Sequence, residues 1–187
     1  NEEQKLIIKK SIIFEDNEVI ILNKPYGIPV QGGTKINFSI NDALYYICSK
    51  NRILRLTHRI DKNTTGILII AKSKETAKSI TELFRENKIK KTYWALVEGI
   101  PKKKNGYIKE AIAKIKVNKI EKMEVIKSKE KNSITYYKTL ESKGGISLLE
   151  VYPKTGRTHQ IRIHLLSQKY PILGDKKYKI LNNNSNK

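Results

Sequence analysis

Cysteine is almost missing from this 187-residue sequence. Cys48 stands alone, so no internal disulfide can form and no thiolate cage can hold a metal. A lone thiol fits a reducing, intracellular setting, here read as cytoplasmic. Long apolar runs are lacking as well. The stretch Ile67-Leu68-Ile69-Ile70-Ala71 is typical of the longest, far below the roughly 18 residues of a membrane span. No signal-peptide pattern opens the chain. It starts at Asn1 rather than Met and ends in Asn182-Asn183-Asn184-Ser185-Asn186-Lys187, so both ends are expected to be cut from something longer.

Acidic residues are scarce too, 18 against 38 basic ones, leaving a formal net charge of +20. A surplus of that size calls for a polyanionic partner, nucleic acid or an anionic membrane surface. The 32 Lys against six Arg, with many Ile and Asn, resemble the output of an AT-rich coding sequence. Such bias swaps Arg for Lys without changing charge, so it explains the choice of residue and not the surplus. With 39% hydrophobic residues the chain is still globular, and a domain near this length buries about 70% of its unfolded surface. One domain is expected across 1–187.

Because arginine is rare, its placement carries information. Five of the six fall in two short segments, Arg52, Arg55 and Arg59, then Arg157 and Arg162. Guanidinium is a planar fork that pairs bidentately with carboxylate or phosphate and stacks on bases, which Lys cannot do. Aspartate is rarer still: Asp16, Asp42, Asp61 and Asp175. Between Lys50 and Lys62 five cationic side chains surround the single carboxylate of Asp61. Nearby positive charge favours the ionised form, so Asp61 reads as a nucleophile or base and not as a general acid. For an aspartate taken at random, a surface salt bridge or turn cap is the commoner role.

Residues 4 to 14 and 18 to 23 read as β-branched strands around the turn Glu15-Asp16-Asn17. Asn23-Lys24-Pro25-Tyr26-Gly27 breaks that pattern, and Gly32-Gly33 ends a short extended piece. Ser39 followed by Asp42 forms a capping-box pattern opening a helix to about Ser49, with Ile40, Ala43, Leu44 and Ile47 on one face. Residues 50 to 65 are expected to be a basic, irregular loop. Gly66 to Ala71 is a buried strand, and Ser73 caps a helix from Lys74 to about Asn87. Lys91 to Val97 alternates, with Tyr93 and Ala95 on one face and Trp94 and Leu96 on the other. Further strands are expected at 107–117, 133–141 and 146–152, the last two joined at Gly144-Gly145, with a charged, mobile connection over 118–132. A last helix begins at Thr158 and ends before Pro171. The pattern is α+β, a mixed, largely antiparallel central sheet flanked by helices.

Arg162 lies among Ile161, Ile163, Leu165 and Leu166, and a guanidinium on an apolar face needs an anionic partner. Asp61 is an attractive one, although Arg162 could also snorkel to solvent or bind phosphate. Here the residues match a known pattern. His58-Arg59-Ile60-Asp61-Lys62-Asn63-Thr64-Thr65-Gly66 resembles the catalytic motif of RluA-type RNA pseudouridine synthases, His-Arg-Leu-Asp-x-x-Thr-Ser-Gly. Asn23-Lys24-Pro25-Tyr26-Gly27, Lys91-Thr92-Tyr93-Trp94-Ala95-Leu96 and Gly156-Arg157-Thr158-His159-Gln160-Ile161-Arg162-Ile163-His164 follow in the family's order. The resemblance covers about residues 10 to 178.

It implies an isomerase that converts uridine to pseudouridine within RNA, without cofactor or metal. Asp61 falls on the family's nucleophile, and attack at the uracil ring or at the anomeric carbon stays open. Tyr93 falls on the tyrosine that stacks on uracil and removes a proton, and Arg162 on the basic residue paired with the aspartate. Arg59 matches an arginine that fills the gap left by a flipped nucleotide, and Leu165 an apolar contact near the target base. His58 and Arg157, in the same motifs, are counted with them as RNA-contacting residues. Residues 27 to 33 resemble the branch acting on large-subunit ribosomal RNA. The resemblance also implies ribosomal RNA as partner, and a monomer is expected; the small RNA-binding domain that often precedes the catalytic one in this family is expected to be missing here, a departure from the family's pattern. These roles agree with general chemistry. Reaction at a base requires taking it out of the stack, and a carboxylate nucleophile splits glycosyl-bond breakage into two easier steps. His159 and His164 are five apart rather than the four of helical zinc pairs, so a metal site is not expected. His58-Arg59 lacks the following Asp and the Gly-rich loop of a kinase. The rival reading is a non-catalytic basic RNA-binding or ribosome-assembly module, which has no need of a carboxylate facing phosphates.

Overall fold

The computed structural model describes residues 2–33, 36–47, 54–117, 120–128 and 132–180. Cys48, Lys50, Arg52, the expected helix end at Ser49 and the Asn-rich tail lie outside the described residues. The chain divides into two compact units, Asn1–Ile89 and Lys90–Lys187.

The first unit begins with a helix, α1 (Glu2–Lys10), where a strand is expected from the β-branched residues of 4–14. Tertiary context overrides that propensity. Acidic Glu2 and Glu3 stand in its first turn and Lys9 and Lys10 in its last, matching the helix dipole, and Ile8 is fully buried. The hairpin follows as expected, β1 (Ile12–Glu15) against β2 (Val19–Lys24). Asp16 closes its turn by accepting hydrogen bonds from the Glu18 and Val19 amides through Oδ1. The helix α2 (Ile40–Ile47) opens on the expected box, in which the Ser39 amide and hydroxyl both donate to Asp42 Oδ2 at 2.8 and 2.7 Å. Residues 55–56 of the expected irregular loop form a short strand, β3 (Arg55–Leu56), on the edge of β4 (Gly66–Ala71). The sheet order is β1-β2-β4-β3, all antiparallel. Its core holds Ile8, Ile20, Leu22, Ile40, Ala43, Leu44, Leu68 and Ile70. Helix α3 (Lys74–Arg85) starts at Ser73, whose side chain accepts from the Thr76 amide.

The second unit is a five-stranded antiparallel sheet in the order β5-β9-β8-β6-β7, formed by β5 (Tyr93–Glu98), β6 (Asn105–Val117), β7 (Ile120–Ile126), β8 (Asn132–Lys143) and β9 (Ile146–Pro153). The expected connection over 118–132 therefore contains a strand. Met123 and Val125 pack on the core while Lys122 and Glu124 pair outside it at 3.0 Å, so the charge that hid the strand sits on its outer face. Helix α4 (Gln160–Ser167) lies on the face carrying Ala95, Val97, Leu149 and Val151 and buries Ile163, His164 and Leu165. Both units are α+β with antiparallel sheets, as the sequence pattern requires.

Candidate active site

The segment holding Asp61 is attached to β4 by side chains. β3 ends at Leu56, and the ladder to Ile69 is completed by Thr57 and His58. Thr57 Oγ1 donates to the Ile69 carbonyl at 2.7 Å, and the Ile69 amide donates to His58 Nε2 at 3.0 Å. With Nε2 accepting, the ring proton of a neutral His58 sits on Nδ1. The ring also packs on Phe84 of α3, centroids 4.4 Å apart. His58 is thus a structural strut as placed, and Arg59 beside it is exposed.

Beyond Arg59 the chain turns, with the Thr64 amide donating to the Asp61 carbonyl at 3.0 Å. The next carbonyl, that of Lys62, is held from the opposite side by the Gly27 amide at 3.1 Å and by Lys24 Nζ at 3.0 Å. Lys24 is the largest fully buried side chain, and its ammonium also donates to the carbonyls of Pro25 and Ile28 at 2.7 and 2.8 Å. Burial pushes its pKa down to about 8, opposed by the charge of Asp61. Three carbonyls plus one nearby carboxylate are what a buried ammonium requires, since unpaired it would be expelled. Two glycines make the clamp possible. Gly27 has φ +78° and Gly66, opposite Lys24 in the β2–β4 register, has φ +116°, conformations a side chain strains. Lys24 falls in the Asn23–Gly27 motif, but sequence reasoning gave it no role, because among 32 lysines burial leaves no mark in the sequence.

In the second unit, Tyr93 opens β5, opposite Val151, and packs half-buried against the cluster of Ala95, Val97, Ile108, Leu149, Val151 and Leu165. Leu165 is fully buried in that cluster, against which Tyr93 packs. Arg162, on α4, is gripped by Asp175, Nε to Oδ2 at 2.7 Å and Nη2 to Oδ1 at 3.0 Å. Its guanidinium also lies 4.7 Å from the ring centre of Tyr178. Burial pushes the Asp175 carboxyl up, but the hydrogen bond from Arg162, the Lys177 and Tyr178 amides and the guanidinium charge outweigh it and hold the carboxyl below its ordinary value. Asp175, one of four aspartates, is a partner of Arg162 that sequence reasoning missed.

Gln160 and His164 fix the helix that presents Arg162. Gln160 Oε1 accepts from Thr155 Oγ1 at 2.7 Å and from the Arg157 amide at 3.0 Å, while its Nε2 donates to the Ile134 carbonyl and Thr135 Oγ1. The turn carrying exposed Arg157 is thereby tied to β8. His164 is fully buried, its Nδ1 2.8 Å from Thr135 Oγ1 and its Nε2 3.3 Å from the Glu110 carbonyl. His159 adopts φ 56° at the helix start, its Nδ1 2.7 Å from the Tyr178 hydroxyl. Among the described residues no group of three or more His, Cys, Asp or Glu could hold a metal ion.

The chain belongs to the RNA pseudouridylate synthase family, whose model matches residues 18–167. It is 42% identical over 167 residues to the ribosomal large subunit pseudouridine synthase C of Buchnera aphidicola from Acyrthosiphon pisum, covering 89% of this chain and 53% of that protein. To the enzyme of the same name from Rickettsia bellii it is 40% identical over 175 residues, covering 93% of this chain and 58% of that one. The chain therefore spans little more than half the length of these relatives. Among solved structures it is similar to human RNA pseudouridylate synthase domain containing 4, with TM-score 0.82 and 31% identity, covering 96% of this chain and 73% of that one.

Proposed function

We propose that the chain is the catalytic part of an enzyme that isomerises uridines in large-subunit ribosomal RNA to pseudouridine. Family membership and the names of the relatives support the reaction and the substrate. The observation that carries the reading is the anchoring of the aspartate turn: Thr57, His58, Lys24 and Gly27 fix the segment on both sides of Asp61 through side chains and one amide. A nucleophile has to be held to within about 0.5 Å, and rigid neighbours supply that precision. A module that only binds RNA needs no such anchoring of a carboxylate.

In the proposed reaction the Asp61 carboxylate attacks the target nucleotide to form a covalent adduct, and the bond to Asp61 breaks again in a second step that regenerates the carboxylate. The bond between nitrogen 1 of uracil and the anomeric carbon breaks, and a bond from carbon 5 to that anomeric carbon forms. Carbon 5 loses its proton to Tyr93, and nitrogen 1 gains one, so the product has the mass of the substrate. Arg162, braced by Asp175, supplies the guanidinium for the nucleophile. Arg59 fills the vacancy left by the flipped base and exposed Arg157 takes phosphate, whereas His58, a strut on β4, and Leu165, buried in the core, act by supporting the segments behind them. We assign no cofactor or metal and a cytoplasmic monomer. Both units belong to one catalytic domain in this reading, because the family match runs across their boundary. No helix among the described residues is long and apolar enough to cross a membrane.

A pseudouridine map of ribosomal RNA from cells with and without the gene tests the substrate. Large-subunit sites that vanish with the gene support it, and an unchanged map overturns it.

A further inference from the structure

α4, the one helix among the described residues of the second unit, covers one face of its sheet and leaves the other to solvent. That outer face is aromatic. Trp94 on β5 is 73% exposed, Tyr107 on β6 66% and Tyr136 on β8 42%. The register aligns three of its rings across three strands, Tyr152 opposite Tyr136 and Tyr136 opposite Tyr107, with the last two ring centres 5.9 Å apart. Trp94 lies opposite Glu150, two residues before Tyr152 on the same face of β9. At about 4.8 Å between strands, the four aromatics span about 14 Å from β5 to β6.

Lysines interleave with these rings. Lys109 shares the outer face of β6 with Tyr107, Lys138 shares that of β8 with Tyr136, and Lys154 Nζ lies 5.9 Å from the Tyr136 ring centre. Lys102, Lys103 and Lys104 are exposed in the turn before β6. Large exposed aromatics cost solvation and mark an interaction surface. Tyrosine and tryptophan suit proteins and nucleic acids alike, but lysine is depleted in protein interfaces and required beside phosphates.

We propose that this outer face is a second RNA-binding surface, a platform on which unpaired bases stack while the interleaved lysines take the flanking phosphates. Sheet faces of this kind stack two or three bases of a single strand, tolerant of sequence because every base has a π-face. Tyr93 faces the opposite side of β5 from Trp94, so the platform is distinct from the residues assigned to chemistry. It rests on the RNA-modifying reading only for the nature of the polymer, and it gives the enzyme a grip on single-stranded RNA flanking the modified site.

Trp94 is the only tryptophan of the chain, which makes its fluorescence a direct reporter. Titration with an eight-nucleotide oligouridylate should quench it to saturation. Tyr107→Ala with Tyr136→Ala should weaken binding about tenfold per ring removed. Lys109→Ala with Lys138→Ala should lower the salt dependence of binding. Quenching that is absent while anisotropy of the labelled RNA shows saturation overturns the platform, as does quenching indifferent to the tyrosine pair. A blue-shifted emission that grows with protein concentration without RNA would show a second copy on the face and overturn it too. Pseudouridine formation is scored separately. A chain that quenches as expected but modifies no RNA keeps the platform and loses the enzymatic reading, and the converse pattern loses only the platform.

Discussion

Asp175 holds Arg162 by both carboxylate oxygens, at 2.7 and 3.0 Å, across thirteen residues of sequence. The Asp175 side chain is 7% exposed and that of Arg162 20%, so the fork works in a partly desolvated setting where charge-assisted bonds are strong. The amides of Lys177 and Tyr178 donate to the same carboxylate, which leaves its orientation little freedom. The guanidinium is therefore held in one orientation by its own unit.

Asp175→Asn keeps the shape and removes the charge. Turnover is expected to fall about 10- to 100-fold with KM for RNA within a few-fold, the split expected of a positioning residue. Stability should drop by about 1–3 kcal/mol in urea titrations, because the partly buried guanidinium loses a bidentate carboxylate. The carboxyl is held below its ordinary value, so its contribution is present above the usual carboxylate range and lost as pH falls through the folded value. A KM effect alone would refute the positioning role.

Lys24→Met should remove three hydrogen bonds and loosen the turn after Asp61, costing about 2–4 kcal/mol and most of the turnover. The sign of its pH dependence is distinctive. Folded Lys24 titrates near 8 and unfolded lysine near 10.5, so the unfolded chain binds the extra proton between those values. Stability from this group thus rises from pH 8 to 10.5, and the gap between wild type and Lys24→Met should widen over that window. A constant gap would mean that the ammonium is not buried in solution.

Motif order and hairpin punctuation were readable from the sequence; long-range polar partners were not. Ser39 and Asp42 announce α2, the apolar run Gly66–Ala71 announces β4, and the alternation through Tyr93 to Val97 assigns both faces of β5. Each of those signals is local. Ile7 and Ile8 misled because β-branched residues favour strands, whereas the packing of α1 on α2 decides the matter. Met123 and Val125 do alternate, but the charged residues of the outer face leave the segment's apolar content too low to read as a strand. Asp61, Tyr93 and Arg162 stood out through motifs, while Lys24, Gln160 and Asp175 gain their roles only from partners that the fold brings near.

His164 gives the second unit an acid-sensitive joint. Burial pushes its pKa down, against the opposing hydrogen bond and charge of Glu110, so the folded ring stays neutral where an unfolded histidine is protonated. Below about pH 6.5 the unfolded chain takes up a proton that the folded one refuses, and stability falls with pH from there. His164→Gln should flatten this slope between pH 7 and 5 in urea unfolding. An unchanged slope would assign the acid sensitivity elsewhere.

Tritium release from ribosomal RNA labelled at carbon 5 of uridine is the most direct measurement, because it follows the one proton that isomerisation must discharge. Wild-type protein should release tritium in proportion to the sites modified. Asp61→Asn should release none above background while binding the RNA within a few-fold of wild type. Release that survives Asp61→Asn, or wild type and Asp61→Asn equally silent on RNA that both bind, would contradict a catalytic Asp61 and leave a binding module.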